Sequence, residues 1–101
     1  MTELDKLEQY LKGHNVPYER FDEDEVHAPN GTITSLERRQ IIVYDENGNR
    51  IWDAVCHYGS YGYSQGLLEV MGSPVIRKSD GDSVKVYLTA QDVIDRWEGR
   101  V

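Results

Sequence analysis

The sequence predicts an α+β domain over residues 1–101, a small antiparallel sheet built on a central hairpin with a helix towards each end of the chain. Three observations predict it. Two apolar runs, RRQIIVY and RIWDAVC, flank Asn47-Gly48, a residue pair suited to a tight reversal, which places hairpin strands at about 38–45 and 50–58. Leu4, Leu7 and Leu11 recur at helical spacing behind Thr2 and Asp5, a capping pair. Val93, Ile94 and Trp97 do the same behind Thr89 and Asp92.

Each element follows in order. Gly13 stops the first helix, and NVPYERF is a strand with Pro17 at its start, where a missing N–H is tolerated. DEDEVHAPNGTITS, residues 22–35, is a polar loop of a length found in functional or mobile segments. In the hairpin, a two-residue turn sets Val43 opposite Trp52, Ile41 opposite Ala54 and Arg39 opposite Cys56 on an apolar face. The other face is mixed, with Tyr44 opposite Ile51, Ile42 opposite Asp53, Gln40 opposite Val55 and Arg38 opposite His57. A three-residue bulged turn would set Ile41 opposite Asp53 and is disfavoured. A mixed second face on a small sheet is solvated or pairs with a second subunit. After a Gly/Tyr loop, Ser64 is expected to cap a short helix, QGLLEVM, closed by Gly72. SPVIRKSDGDS supplies an extended piece and a turn, and VKVYL is the last strand.

Composition narrows the function classes. Eleven Lys and Arg against eighteen Asp and Glu give a net charge of −7, which opposes nonspecific nucleic-acid binding. Residues 1–35 carry +3 and −8 and residues 36–78 carry +5 and −5, so the middle of the chain is the least hostile to an anion. A single cysteine excludes an intramolecular disulfide. The charged N-terminus has no apolar signal core, and no apolar run nears the roughly 20 residues that span a bilayer, so a cytoplasmic location is expected. Asn30-Gly31-Thr32 matches a glycosylation sequon, which has no role without secretion.

The candidate site is the stretch Cys56–Gly72. Cys56 and His57 are adjacent on a strand and point to opposite faces, so they do not form a nucleophilic pair. Cys56 belongs with the core. No zinc or calcium spacing is present, and no cofactor is implied. Gly59, Gly62 and Gly66 could aim backbone N–H groups at an anion, with Ser60 and Ser64 adding hydroxyls and Tyr58, Tyr61 and Tyr63 stacking on a base. Arg38 and Arg39 would add positive charge beside His57. No Lys follows the glycines, so a phosphate-loop NTPase is not implied. The plainer reading is that the glycines permit a turn and the tyrosines pack over the sheet. The run Asp22-Glu23-Asp24-Glu25 is a solvated edge or, alternatively, a partner surface that mimics nucleic-acid phosphate.

Three blocks, YLKGHNVPYERFDED, RRQIIVYDENGNRIWDAVCHYGSYGYSQGLLEVMG and GDSVKVYLTAQDVIDRW, cover most of the chain. Together they resemble a group of short proteins encoded by phages and prophages of Gram-positive bacteria. The group supplies no catalytic motif to carry over. By analogy with accessory phage proteins of this size, the resemblance implies a role against host defence. The expectation is a non-enzymatic, oligomeric protein, a dimer foremost. It would sequester a small anionic nucleotide-like ligand through Arg38, Arg39, His57 and the 58–64 loop. The alternative is an acidic inhibitor of a host defence protein, and a nucleotide-acting hydrolase is a third.

Overall fold

The computed structural model describes residues 1–100. Helix α1 (Glu3–Gly13) starts at Thr2, whose hydroxyl accepts from Asp5 N at 3.1 Å while the Asp5 carboxylate accepts from Thr2 N at 2.9 Å. The chain then forms β1 (Tyr18–Glu23), β2 (Val26–His27), β3 (Ile33–Ser35), β4 (Arg38–Tyr44) and β5 (Arg50–Val55). It continues through β6 (Leu68–Gly72), β7 (Val84–Leu88) and α2 (Ala90–Trp97), the last capped by Thr89 and Asp92. Five strands make an antiparallel sheet in the order β1-β4-β5-β6-β7, and β2 with β3 make a separate ribbon.

The hairpin has the register that hydrophobic alternation demands, with Ile41 opposite Ala54 and Val43 opposite Trp52. Its turn is different from the one expected. Asp45 N donates to Asn49 O at 2.9 Å and Gly48 N to Asp45 O at 3.1 Å, so the loop is Glu46-Asn47-Gly48. Such a three-residue loop shifts the pairing by one. An irregularity beside Val43 and Tyr44, where Arg50 rather than Ile51 faces Tyr44, shifts it back. The requirement that Ile41, Val43, Trp52 and Ala54 share the buried face outweighs local turn preference, and the bulge absorbs the difference.

Two expectations are corrected. Residues 65–71 form no helix. A single 3-10 turn covers Tyr63–Gln65 and ends at Gly66 in a left-handed conformation, and Leu68–Gly72 is strand β6. Leu68 and Val70 are buried while Glu69 and Met71 are not, which is the two-residue period of a strand. The free edge of β5 supplies ladder partners, with Val70 opposite Ala54 and Gly72 opposite Trp52. Residues 22–35, expected as an irregular loop, finish β1 and then make the β2–β3 ribbon.

One core joins the elements. Leu4, Leu7 and Leu11 of α1 and Ala90 and Val93 of α2 pack with Ile41, Val43, Trp52, Ala54, Leu68, Val70 and Val75. Both helices therefore lie on one face of the sheet. The opposite face closes with its own side chains. Arg38 lies 3.6 Å above the Phe21 ring and donates to Gln40 at 2.9 Å. Gln40 in turn donates to Asp53 at 2.7 Å, and Arg50 stands 3.3 Å from the same carboxylate. Asp53 is thus buried, hydrogen-bonded and paired, and Ile42 and Val55 are buried beside it.

Candidate functional site

The segment from Cys56 to Leu67 closes on itself. Ser60 spends its hydroxyl locally, accepting from His57 N at 3.1 Å and donating to His57 O at 2.7 Å. Leu67 N and Gln65 N both donate to Gly62 O, at 2.9 and 3.1 Å. A side chain at Gly62 would meet Leu67 Cβ at 3.1 Å in a backbone of φ +93°, so glycine is required by the turn itself. Ser64 lies within the 3-10 turn and caps no helix, and Gly59 supplies a second positive φ. His57 faces the sheet end, where its Nδ1 accepts from Arg39 N at 3.2 Å. The Tyr58 N–H, one of those expected to hold an anion, already donates to the Glu37 carboxylate at 3.1 Å.

The arginines are similarly engaged. Strand β1 pairs with β4 so that Asp22 faces Arg39 and Glu23 faces Arg38. Arg39 donates to Glu23 O at 2.6 Å and to the Asp24 carboxylate, and its Nε lies 3.8 Å from Asp22. Arg38 stands 3.5 Å from Glu23. Glu25 pairs instead with His27 at 2.7 Å. The basic pair and the acidic run, separate candidates in the sequence, are cross-strand neighbours in one ion-pair network. Arg38 and Arg39 also project to opposite faces, as strand alternation requires, so they do not converge on one ligand.

A cavity of about 490 Å³ opens on the helix side at this end of the sheet, within the size range of ligand sites. Of the residues singled out in the sequence it takes in Arg39, Tyr63 and Gly66, with Asp22 of the acidic run, and it adds Arg20, Cys56, Glu37 and the two helix starts, Thr2 and Thr89. Helix N-termini attract anions, and here a carboxylate of the chain itself fills the role. Glu3 accepts from Ala90 N at 2.7 Å, a bond that holds its pKa below the ordinary value, with Lys6 adding to the effect. Burial pushes the Cys56 thiol up, away from thiolate chemistry. Among the described residues no group of three or more His, Cys, Asp or Glu side chains is arranged to hold a metal ion.

What remains unoccupied is aromatic. Tyr58, Tyr61 and Tyr63 are 73%, 65% and 40% exposed, and the rings of Tyr58 and Tyr63 meet edge to face at 6.1 Å. Tyr87 joins them, 51% exposed, with its ring 3.4 Å from where a Gly62 side chain would stand. Sequence reading assigns VKVYL to the last strand without singling out Tyr87; its φ is +60°, and the pairing of β6 with β7 is irregular between Leu68 and Val70. Residues 57–68 contain no Asp, Glu, Lys or Arg on a chain that is 29% charged, and Glu37 and Arg39 border this loop at Tyr58 and Tyr63. Comparison with protein-family models, with curated proteins and with solved structures finds no match to this chain.

Proposed function

We propose that the chain is a non-enzymatic binding protein that contacts a partner protein through the tyrosine-bearing end of its sheet. The observation that carries this reading is the exposure of Tyr58, Tyr61 and Tyr63 on a loop without Asp, Glu, Lys or Arg, with Tyr87 beside Gly62 of the same loop. Protein interfaces are enriched in tyrosine and depleted in charge at their centre, because the ring buries a large area at little entropic cost and its hydroxyl still finds a partner. At these exposures the four side chains offer roughly 350–550 Å², about half of one side of a standard interface. The resemblance to phage-encoded accessory proteins supplies the context, a host defence protein as the partner.

The nucleotide reading keeps one support, the cavity beside Arg39 and Tyr63. Against it, three donors a phosphate would use are already taken: Tyr58 N by Glu37, Ala90 N by Glu3, and Arg39 by Asp22 and Asp24. One experiment separates the two. Tagged wild-type protein and the Tyr58→Ser/Tyr61→Ser variant are used to recover partners from host lysate, and the same proteins are titrated calorimetrically with cyclic and ADP-ribose-type nucleotides. A host protein held by wild type and released by the variant supports the reading. Nucleotide binding with no protein retained replaces it.

A further inference from the structure

We infer that His57 is a proton-operated latch on the tyrosine loop, holding it to the sheet when neutral and letting it go on mild acidification; as regulation of that surface, this rests on the reading proposed above. The chain has three histidines, and their hydrogen bonds differ in kind. His14 Nδ1 lies 2.9 Å from Tyr10 O. His27 Nδ1 lies 3.3 Å from Gly31 O, and its Nε2 lies 2.7 Å from the Glu25 carboxylate. Those partners are all acceptors, so protonation leaves the bonds in place. His57 instead faces a donor, the backbone N–H of Arg39, at 3.2 Å from Nδ1. An amide N–H can only donate, so Nδ1 keeps its lone pair and the ring hydrogen of neutral His57 lies on Nε2. A second hydrogen on Nδ1 sets two donors against each other and removes the bond.

The bond sits where the loop leaves the sheet. Cys56 N donates to Arg39 O at 3.0 Å, and an antiparallel pair of this kind normally returns its second bond to a carbonyl. Here the His57 ring supplies the acceptor, so a side chain closes the last rung between the ends of β4 and β5. The same residue anchors the first turn of the loop. His57 N donates to Ser60 Oγ at 3.1 Å, and His57 O accepts from Ser60 Oγ at 2.7 Å and from Ser60 N at 2.9 Å. Tyr58 follows directly, so a ring that swings away from Arg39 carries the start of the tyrosine loop with it.

The charged groups around this end of β5 are Arg38 and Arg39 on β4, Glu37 ahead of them, Asp22 and Glu23 facing them from β1, and Glu69 on β6 opposite Val55. Asp22 and Glu23 stand against the two arginines, and Glu37 accepts from Tyr58 N. Among the described residues the one histidine in an ion pair is His27. An imidazolium at position 57 therefore gains no such pair to offset the lost bond. The release is local, because His57 is outside the core cluster.

The test measures amide hydrogen exchange by NMR, with intrinsic rates divided out, on wild type and His57→Asn between about pH 7.5 and about pH 5, the interval in which ordinary histidines change charge. Asn Oδ1 takes the place of Nδ1 and accepts from Arg39 N at every pH. Protection of the Arg39 and Ser60 amides is expected to fall about tenfold in wild type across that interval and to hold within about twofold in His57→Asn, while Ile41 and Ala54 stay protected in both. Ring nitrogen shifts of wild type at the upper pH should show the Nε2–H tautomer, a readout that stands even if the variant does not fold. An Nδ1–H tautomer, level Arg39 protection in wild type, or a parallel fall in His57→Asn overturns the inference. Recovery of the host protein at the same two pH values, with Tyr58→Ser/Tyr61→Ser as reference, tests the reading separately. Retention by wild type at the upper pH alone, and by His57→Asn at both, supports the latch. Equal retention by wild type at both values overturns the latch and leaves the reading standing. No protein retained at either value removes the reading, and the amide data alone then decide whether His57 holds the loop.

Discussion

At the scale of single residues, Gly72 shows how a position can be singled out correctly and for the wrong reason. Sequence reasoning makes it the end of a helix, and in the fold it lies opposite Trp52 in a strand at φ +105°. A Cβ there would stand 2.3 Å from Ile51 O and 2.7 Å from Trp52 Cα. Those obstacles are backbone atoms of the central hairpin, which cannot swing aside as a side-chain tip can. Gly72→Ala therefore combines left-handed strain with a forced separation of β5 from β6, about 2–4 kcal/mol together. Gly59→Ala carries only the strain, since nothing lies within 4 Å of its missing Cβ at φ +94°. The expected thermal midpoints fall by about 10 °C or more for Gly72→Ala and by less than half of that for Gly59→Ala. Equal losses would mean that contact with the hairpin contributes nothing. Such a role is invisible locally, because the atoms that demand glycine lie some twenty positions earlier in the chain.

Among the elements, what could be read was what alternation and capping dictate. The hairpin partners Val43–Trp52 and Ile41–Ala54 follow from periodicity, and both capping boxes from Thr-x-x-Asp. Strand β6 did not, because Leu68-Glu69-Val70-Met71 is too short to tell one period from another until β5 offers an edge. The β2–β3 ribbon had a local signal. Pro29-Asn30-Gly31 between Val26 and Ile33 is a turn flanked by strand formers, although the same Asn-Gly pair also opens a sequon. Since the ribbon contributes nothing to the core, replacing residues 25–36 by a short Gly/Ser turn should leave the unfolding midpoint within a few degrees of wild type. A large drop would show that the ribbon belongs to the cooperative unit.

At the scale of the whole molecule, the decisive fact is the pairing of β1 with β4. It brings an acidic segment of one third of the chain against the basic pair of the next and turns two rival surfaces into one network, which no inspection of either segment foretells. The same economy runs through the fold: carboxylates are placed on N–H groups, guanidiniums and phenols, and several of these placements shift a titration. Asp5 is held down to about 2, first by the Thr2 N–H and then by Arg20, and Glu3, Asp45, Asp80 and Asp95 are lowered too. Tyr10 moves the other way, pushed up to about 12 by burial and then by Glu98, to which its hydroxyl donates at 2.5 Å. Tyr18 and Tyr44, which donate to Glu8 and Glu19, are also raised. A lowered carboxylate stabilises the fold above its unfolded pKa and loses that contribution as pH falls through the folded value. A raised phenol stabilises it below its unfolded pKa and loses that contribution as pH rises through the folded value. Urea midpoints should accordingly be level through the neutral range, fall from about pH 4.5 towards 2, and fall again from about pH 10 towards 12. Tyr10→Phe keeps the acid limb and makes the alkaline one shallower, leaving the share of Tyr18 and Tyr44, because the variant has no proton to lose at position 10. Superimposable alkaline limbs for the two proteins would show that the Tyr10–Glu98 bond between α1 and the end of α2 does not stabilise the fold.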